Sequence, residues 1–266
     1  MKVQKIELSD SPMSADRVCI RAEVVSGGAS PHSESYWFDV PKQHANELSL
    51  EGTPWLICLL PLAVNLGEPL EIAAPVDGTL LANAHELMSI WNCWYPQLHP
   101  VEIHAPISQT PRFPQGRLHA ALFSGGVDSW FTLLRHAEGA VQPRIDELLT
   151  VSGLDVPLDN RGGIEKMRSA QQQAAAKFGI NAIDIATNLR QTSWWNRSDW
   201  ARVAHGCALG TAGLILERRY RTLLIPSTHR YDDLEPWGSH PLTDPLLSTH
   251  SLRVIHDGAA FGRVDD

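Results

Sequence analysis

One short segment constrains the fold of this chain more than any other: an apolar run that leads directly into two glycines and a helical pattern. Residues 118–123 are mostly apolar, and Ser124, Gly125 and Gly126 follow them at once. From Val127 onward, apolar side chains recur at the spacing of one helix face. Glycines let the backbone approach a ligand closely, and the first N–H groups of a helix carry a partial positive charge. The segment predicts a strand–turn–helix unit that holds an anion; an ordinary turn that uses glycine for its geometry is the alternative.

The pattern after this unit alternates strands and helices. Strands are predicted at residues 147–151, 182–186 and 222–226, and helices over about 163–178 and from Asp199 onward. Successive β–α units form a parallel sheet with helices on both faces. We therefore predict an α/β fold with a doubly wound parallel sheet, in which ligands bind beyond the carboxyl ends of the strands. Ser124, Ser152 and Ser227 lie at those ends.

The first part of the chain has a different, strand-rich pattern. Alternating runs at 18–25 and 35–40 are followed by the apolar segments 55–62 and 70–74 and by one predicted helix over 82–94. Three prolines among polar residues then mark a connector, which we place at residues 106–116. The prediction is a smaller β-rich N-terminal domain over residues 1–105 and the α/β domain over residues 117–266.

Composition excludes several classes of protein. The formal net charge of -8 argues against a broad nucleic-acid surface, because binding to phosphates needs clustered Lys and Arg. The four cysteines are scattered and form no C-x-x-C pair, so the usual zinc signature is missing. No apolar run approaches the ~20 residues that cross a bilayer, and the first residues lack the apolar centre of a signal peptide. We expect a cytoplasmic protein with no membrane partner, while a homo-oligomer stays open.

The hexamer after the first strand of the α/β part resembles a known superfamily signature. It matches the S-G-G-x-D-S motif of the PP-loop ATP pyrophosphatases, the adenine nucleotide α-hydrolase-like proteins, and the resemblance extends over residues 117–266. No lysine follows the glycines, so the segment is not a Walker A loop. The resemblance implies a PP-loop (HUP-like) fold, ATP and Mg²⁺ as cofactors, and Asp128 as the residue that contacts magnesium. It also implies catalytic roles for Asp128 and Ser129. The residues that it implies for phosphate binding are Ser124, Gly125, Gly126, Val127, Asp128 and Ser129.

The same resemblance indicates where adenine would pack. In the superfamily, the base lies near the ends of the first two strands, which correspond here to Phe123 and to the segment Val151, Ser152 and Gly153. Plain core and turn roles for these residues are the alternative.

Two further groups of residues are candidates for the reaction. On the helix that Ser198 is predicted to cap, Arg202 and His205 lie within one turn of each other and are candidate catalytic residues. The polar loop 227–245 follows a strand and broadly resembles the substrate loop of 7-cyano-7-deazaguanine synthases, although this sequence contains no cysteine after residue 244. Its candidate substrate-binding residues are His229, Tyr231, Asp232, Trp237, His240 and Asp244. An ordered loop with solvated carboxylates and Trp237 in the core is the alternative.

The resemblance implies an ATP-dependent enzyme that forms AMP and pyrophosphate. The first hypothesis is a ligase or amidating enzyme, in which ATP adenylates a carboxylate or amide of a small-molecule or macromolecular acceptor and a nucleophile displaces AMP. A tRNA sulfurtransferase of the same superfamily is the second, although sulfur relay needs paired thiols. A nucleotide-binding accessory protein that docks a protein partner is the third.

Overall fold

The computed structural model of the protein describes residues 1–28, 30–108, 117–139 and 141–262. The strands among these residues form one sheet. In chain order they are β1 Lys2–Asp10, β2 Arg17–Ser26, β3 His32–Pro41, β4 Leu70–Ile72, β5 Ile103–His104, β6 Leu118–Leu122, β7 Glu147–Ser152, β8 Asn181–Thr187, β9 Tyr220–Pro226 and β10 Arg253–Asp257. The α-helices are α1 Thr53–Leu66, α2 Gly78–Trp94, α3 Val127–Ala137, α4 Arg161–Phe178, α5 Ser193–Arg197 and α6 His205–Leu214.

The order of strands in the sheet is β10-β9-β6-β7-β8-β3-β2-β1-β4-β5. The first five strands in this order are parallel to one another, as predicted for the second half of the chain. β8 pairs with β3 in the antiparallel sense, and β3, β2 and β1 continue antiparallel. The α/β class is therefore confirmed, although the complete sheet is mixed. Strand β10 was not predicted from the sequence.

Alternate residues of the central strands show that helices cover both faces of the parallel part. Ala120 and Leu122 of β6 belong to a core cluster that also contains buried residues of α1 and α6. Ala121, between them, packs instead with residues of α3 and α4. Since neighbouring residues of a strand point to opposite faces, α3 and α4 lie on one face and α1 and α6 on the other.

Helix α1 corrects the prediction for the N-terminal part of the chain. The segment 55–62, expected in a domain with one helix, lies within this helix, so the N-terminal part contributes both α1 and α2. Residues 53–64 are all buried. A helix that is buried all round shows no amphipathic period. Pro54 at the start of the helix is a normal N-terminal signal.

The two predicted domains are continuous through the sheet. Beside the short β3–β8 pairing, the Arg17 guanidinium donates to both carboxylate oxygens of Asp39, at 3.0 and 2.8 Å. It also donates to Asp184 of β8 at 2.9 Å, and the Ala186 N–H donates to Asp39. These hydrogen bonds attach the antiparallel strands to the parallel ones. Residues 109–116 of the predicted connector lie outside the described residues, and the division into domains stays a prediction.

Among the described residues, no helix combines the length and the apolar character that a membrane span requires. The four cysteines are free; Cys19, Cys58 and Cys207 are buried and Cys93 is exposed. Clusters of buried apolar residues lie on both faces of the sheet.

A buried carboxylate fixes the end of β10. Asp257 accepts hydrogen bonds from Thr132 at 2.8 Å and Arg135 at 3.2 Å, and its Oδ1 lies 3.1 Å from His136 Nε2. Burial alone would raise the pKa of Asp257, but the hydrogen bonds from His136 and Thr132 outweigh it and hold the pKa below its ordinary value of 3.8. The carboxylate therefore ties the edge strand to helix α3.

We predict that Asp257→Asn lowers the free energy of unfolding by about 2 kcal/mol at neutral pH, because it removes charge-assisted hydrogen bonds. The folded-state pKa is depressed, so this stabilisation exists above the unfolded-state pKa and is lost as pH falls through the folded-state pKa. Urea unfolding from pH 7 to pH 3 should show the wild-type advantage shrinking below about pH 4. Asp10→Asn, at an exposed position, is the control. A constant difference across the range would contradict the assignment.

Candidate functional site

The Ser124–Ser129 hexamer connects β6 to α3, as predicted. Gly126 is the N-cap residue of α3 and provides no side chain to cap the helix. The N–H groups of the first turn have no acceptors within the helix and give this end a partial positive charge. Gly125 has φ of +83°, which L side chains rarely adopt, and a Cβ there would meet only the Ala170 methyl at 3.8 Å. A side chain at Gly125 would thus meet open space, although Gly125 lines neither of the two cavities beside the loop.

Hydrogen bonds within the loop fix its shape. The Gly126 N–H donates to Ser124 Oγ at 3.3 Å, and the Ser129 hydroxyl donates to the Gly126 carbonyl at 2.7 Å. Ser129 is nearly buried. Because the Ser129 hydroxyl donates its proton to the loop backbone, it stabilises the turn. Its oxygen lone pairs can still accept hydrogen bonds from other groups.

A cavity of about 450 Å³ opens beside the loop, at the carboxyl ends of β6, β7 and β9. Its volume is within the usual range for small-molecule sites. Apolar side chains form most of the lining: Leu122, Phe123, Leu149, Val151, Leu154, Val156, Met167, Leu209 and Pro226. Polar residues complete it, together with Gly126 of the loop: Ser124, Asp128, Ser129, Asp155, His205 and Thr228. The cavity therefore combines an apolar floor with polar groups at the loop.

The residues predicted to contact adenine differ in whether they line the cavity. Phe123 lines the cavity and packs edge-to-face on Trp130, with ring centroids 5.3 Å apart. Ser152 and Gly153 are not among the lining residues. Gly153 has φ of +92°, and a Cβ there would lie 1.9 Å from the Thr187 carbonyl oxygen. Close backbone packing accounts for this glycine. Of the predicted segment 151–153, Val151 lines the cavity, and its neighbour Leu154 lines it as well.

His205 lies in the cavity wall, on a helix that is irregular. The sequence predicted one helix from Asp199 with Ser198 as its cap; instead, Asp199 is the cap and adopts φ of +53°, and the single π-helical turn Trp200–Ala204 precedes α6. Irregular turns of this kind often occur at functional sites. The imidazole lies 4.8 Å from the Trp200 ring, and its buried Nδ1 has no hydrogen-bond partner among the described residues. Burial lowers the pKa of His205, so the ring is neutral near pH 7.

Arg202 is directed away from the cavity, unlike the prediction for a catalytic cation. Its side chain is exposed and pairs with Asp199 at 3.3 Å. The guanidinium lies 5.6 Å from the Tyr95 ring centroid. His205 lines the cavity and Arg202 does not, so the structure does not bring the two together there.

The predicted substrate loop divides into an exposed half and a buried half. His229 lines a second cavity of about 210 Å³, next to the first, together with Asp128 and Thr228, which line both. Tyr231 and Asp232 are exposed, and the Asp232 carboxylate pairs with Arg230 at 2.9 Å. The second cavity is more polar than the first because loop residues and the α3 terminus form it.

The buried half of this loop packs into the protein. Trp237 lies against His229, with ring centroids 6.1 Å apart. His240 is buried against Trp94 and its Nδ1 accepts the Leu242 N–H, and burial lowers its pKa. Asp244 is fully buried. Neither His240 nor Asp244 lines either of the two cavities, so the structure gives them internal contacts rather than direct access to a substrate.

Several cavity residues were missed by the sequence analysis. Asp155 lies three residues after the end of β7, and Thr228 lies two residues after the end of β9. The rule that ligands bind at the carboxyl ends of strands could have identified both residues. Met167 comes from α4 and was not predicted to line a cavity. Ser227 was placed on this rim, but its partner His256 was not found because β10 itself was not predicted.

Within the described residues, no group of three or more His, Cys, Asp or Glu side chains is arranged to hold a metal ion. Asp128 is a carboxylate at the start of α3 and lines both cavities. Mg²⁺ commonly binds through one or two carboxylates, with phosphates and waters as its other ligands. The residues present fit a magnesium ion that arrives with a phosphate ligand, and Asp128 would hold it.

Comparison of the chain with known proteins found no match among family models, curated proteins or solved structures. The geometry of the site is therefore the basis for the functional assignment below.

The two glycines at the strand ends lead to a direct test. We predict that Gly153→Ala costs about 3 kcal/mol of stability or more, because the new Cβ collides with backbone and the native φ is unsuitable. Gly125→Ala should cost only about 1 kcal/mol, since the space at Gly125 is open and only φ is strained. Urea unfolding of both variants measures the difference. Equal losses would contradict the distinction between a glycine required by close backbone packing and one with open space around it.

Proposed function

We propose that the protein binds ATP in the larger cavity and splits it between the α and β phosphates to adenylate an acceptor. One observation carries the proposal: the Ser124–Ser129 hexamer stands at the uncapped start of α3, directly beside a cavity of nucleoside size. The sheet order supports this location, since β6 is flanked by β7 and β9 and the loop follows β6. Such a switch in strand order is where α/β sheets bind nucleotides.

Each part of ATP has a matching surface. The apolar lining around Phe123, Val151 and Leu154 suits the base, and the loop amides suit the phosphates. Asp128 would hold a Mg²⁺ ion, which when bound would supply positive charge to the phosphates.

The reaction proposed is attack by an acceptor oxygen on the α phosphorus. A bond forms between this oxygen and phosphorus, the bond to the bridging oxygen breaks, and pyrophosphate leaves. A nucleophile then displaces AMP from the adenylate. Neutral His205 is positioned in the cavity wall to accept a proton or to orient the acceptor, with Asp155 nearby in the same lining. A carboxylate or amide acceptor, small or macromolecular, fits this chemistry.

The sulfurtransferase alternative gains no support from the two buried thiols of α1 and α6. Cys58 and Cys207 are buried, and burial raises the pKa of both well above the ordinary value. A protonated thiol is a poor nucleophile, and sulfur relay requires a thiolate. The alternative of an accessory protein that only senses a nucleotide differs from the ligase proposal in one measurable respect, the release of pyrophosphate.

The decisive experiment compares wild type with Asp128→Asn. Purified protein is incubated with ATP, Mg²⁺ and a metabolite extract, while AMP and pyrophosphate are quantified by mass spectrometry and a coupled assay. We expect Asp128→Asn to reduce pyrophosphate release by roughly 100-fold or more, because the variant loses a charge that the magnesium-bound transition state requires. Asp159→Asn, at an exposed position before α4, should retain wild-type release.

Calorimetry with ATP separates the hypotheses. A folded Asp128→Asn variant with wild-type pyrophosphate release would remove the basis for the proposal. Tight ATP binding by wild type without any AMP or pyrophosphate, over a range of acceptor extracts, would favour the accessory-protein alternative. Thermal unfolding of each variant establishes that the fold is retained.

A further inference from the structure

Three buried or half-buried side chains form a hydrogen-bonded series beside the second cavity. His256 Nδ1 of β10 lies 2.7 Å from Asp244 Oδ2, and its Nε2 lies 2.8 Å from Ser227 Oγ. The His256 side chain is only 4% exposed and that of Asp244 is fully buried. The order carboxylate, imidazole, hydroxyl is the arrangement by which an aspartate orients a histidine to take a proton from serine.

The carboxylate at the far end of this series is fixed. Asp244 Oδ2 also accepts the Ser239 hydroxyl at 2.7 Å, and Oδ1 accepts the His240 N–H at 3.3 Å. These donors leave the carboxylate no freedom to rotate away from His256. The ring is therefore held with Nδ1 toward Asp244 and Nε2 toward Ser227, which is the orientation required of a general base.

The Ser227 hydroxyl has two alternative hydrogen-bond acceptors. Its Oγ lies 2.8 Å from His256 Nε2 and 2.7 Å from the His229 carbonyl oxygen. A hydroxyl carries one proton. When the proton points to His256, the imidazole is neutral; when His256 has gained a proton at Nε2, it donates to Ser227. The geometry thus accommodates both protonation states of His256, as a proton transfer requires.

The serine is also accessible to a ligand. Ser227 follows β9 and lines the second cavity, of about 210 Å³, with Thr228, His229 and Asp128. Its backbone N–H is bonded to the Asp257 carbonyl at 2.7 Å, which holds the residue at the cavity wall. Two ionisable side chains in contact in a protein interior rarely add stability, because burial opposes their charged forms. The position of His256 and Asp244 next to a cavity points to a chemical role for them.

We propose that Ser227, His256 and Asp244 form a second catalytic site, in which the Ser227 hydroxyl takes an acyl group from an activated carboxylic acid derivative. Ser227 Oγ forms a bond to the acyl carbon, and the hydroxyl proton moves to His256 Nε2. The bond from the acyl carbon to its leaving group breaks, and the leaving group takes its electron pair and then the proton. The product is an ester of Ser227, which water or an amine cleaves to regenerate the hydroxyl.

This activity is separate from nucleotide binding. The acyl donors that fit are esters, thioesters and acyl phosphates, all of which carry a good leaving group. An acyl adenylate made in the neighbouring cavity is one such donor, and that connection alone rests on the proposed function. Ser227 attack on it would release AMP and conserve the activated acyl group on the protein.

The test uses p-nitrophenyl acetate with the full-length protein, without ATP or Mg²⁺. We expect a rapid release of about one p-nitrophenolate per chain, as for an acyl-enzyme that accumulates. Trypsin cleavage after Arg221 and Arg230 yields a peptide, residues 222–230, that contains a single serine. Fragmentation of this peptide should locate the acetyl group on Ser227.

Variants distinguish chemistry from structure. Ser227→Ala should abolish the rapid phase, Ser227→Cys should retain it with the acetyl group on sulfur, and His256→Gln should slow it by about 100-fold or more. Ser251→Ala, in the turn before β10, should match wild type. Thermal unfolding monitors folding, and Ser227→Ala removes only a half-buried hydroxyl. Wild-type release at the Ser227→Ala rate, with no acetyl group on residues 222–230, would overturn the proposal and leave the ATP site untouched.

Discussion

The arrangement of the site depends on the parallel pairing of β6 with β7 on one side and with β9 on the other. Parallel neighbours end at the same edge of the sheet, so the segments that follow these three strands meet there. The chain leaves β6 into α3 on one face, whereas α6, which leads into β9, lies on the opposite face. The connections diverge at this point, and the space between them is the larger cavity.

Much of this architecture was predictable because the central strands and helices have clear hydrophobic periods. Strands β7, β8 and β9 and helix α4, with Gly179 as its left-handed cap, lie close to their predicted bounds. Helix α1 was misjudged because it is apolar on all sides. The attachment of β3 to β8 through Arg17 and Asp39 was also beyond sequence reasoning, since it joins residues about 150 positions apart whose side chains carry no local pattern.

The candidate site was predictable to the extent that it is local. The hexamer 124–129 is one contiguous segment, and its strand-to-helix position followed from its neighbours. Gly153 was misleading because a glycine of positive φ serves a turn that packs on Thr187 as readily as it serves a ligand. His240 and Asp244 were misleading for the opposite reason: polar residues in a loop suggest a surface, but packing against Trp94 and His256 buries them.

The two cavities share Asp128 and Thr228, and this sharing has a mechanistic consequence. In the proposed function, the nucleoside would occupy the apolar cavity and its phosphates would lie at the start of α3, where Asp128 borders both cavities. The polar cavity also contains His229 and Ser227. Buried Asp244 and His256 lie directly behind Ser227, and a pair of desolvated ionisable groups is costly to keep in a core. The cost is understandable where the pair controls the protonation of a hydroxyl that faces the reacting groups.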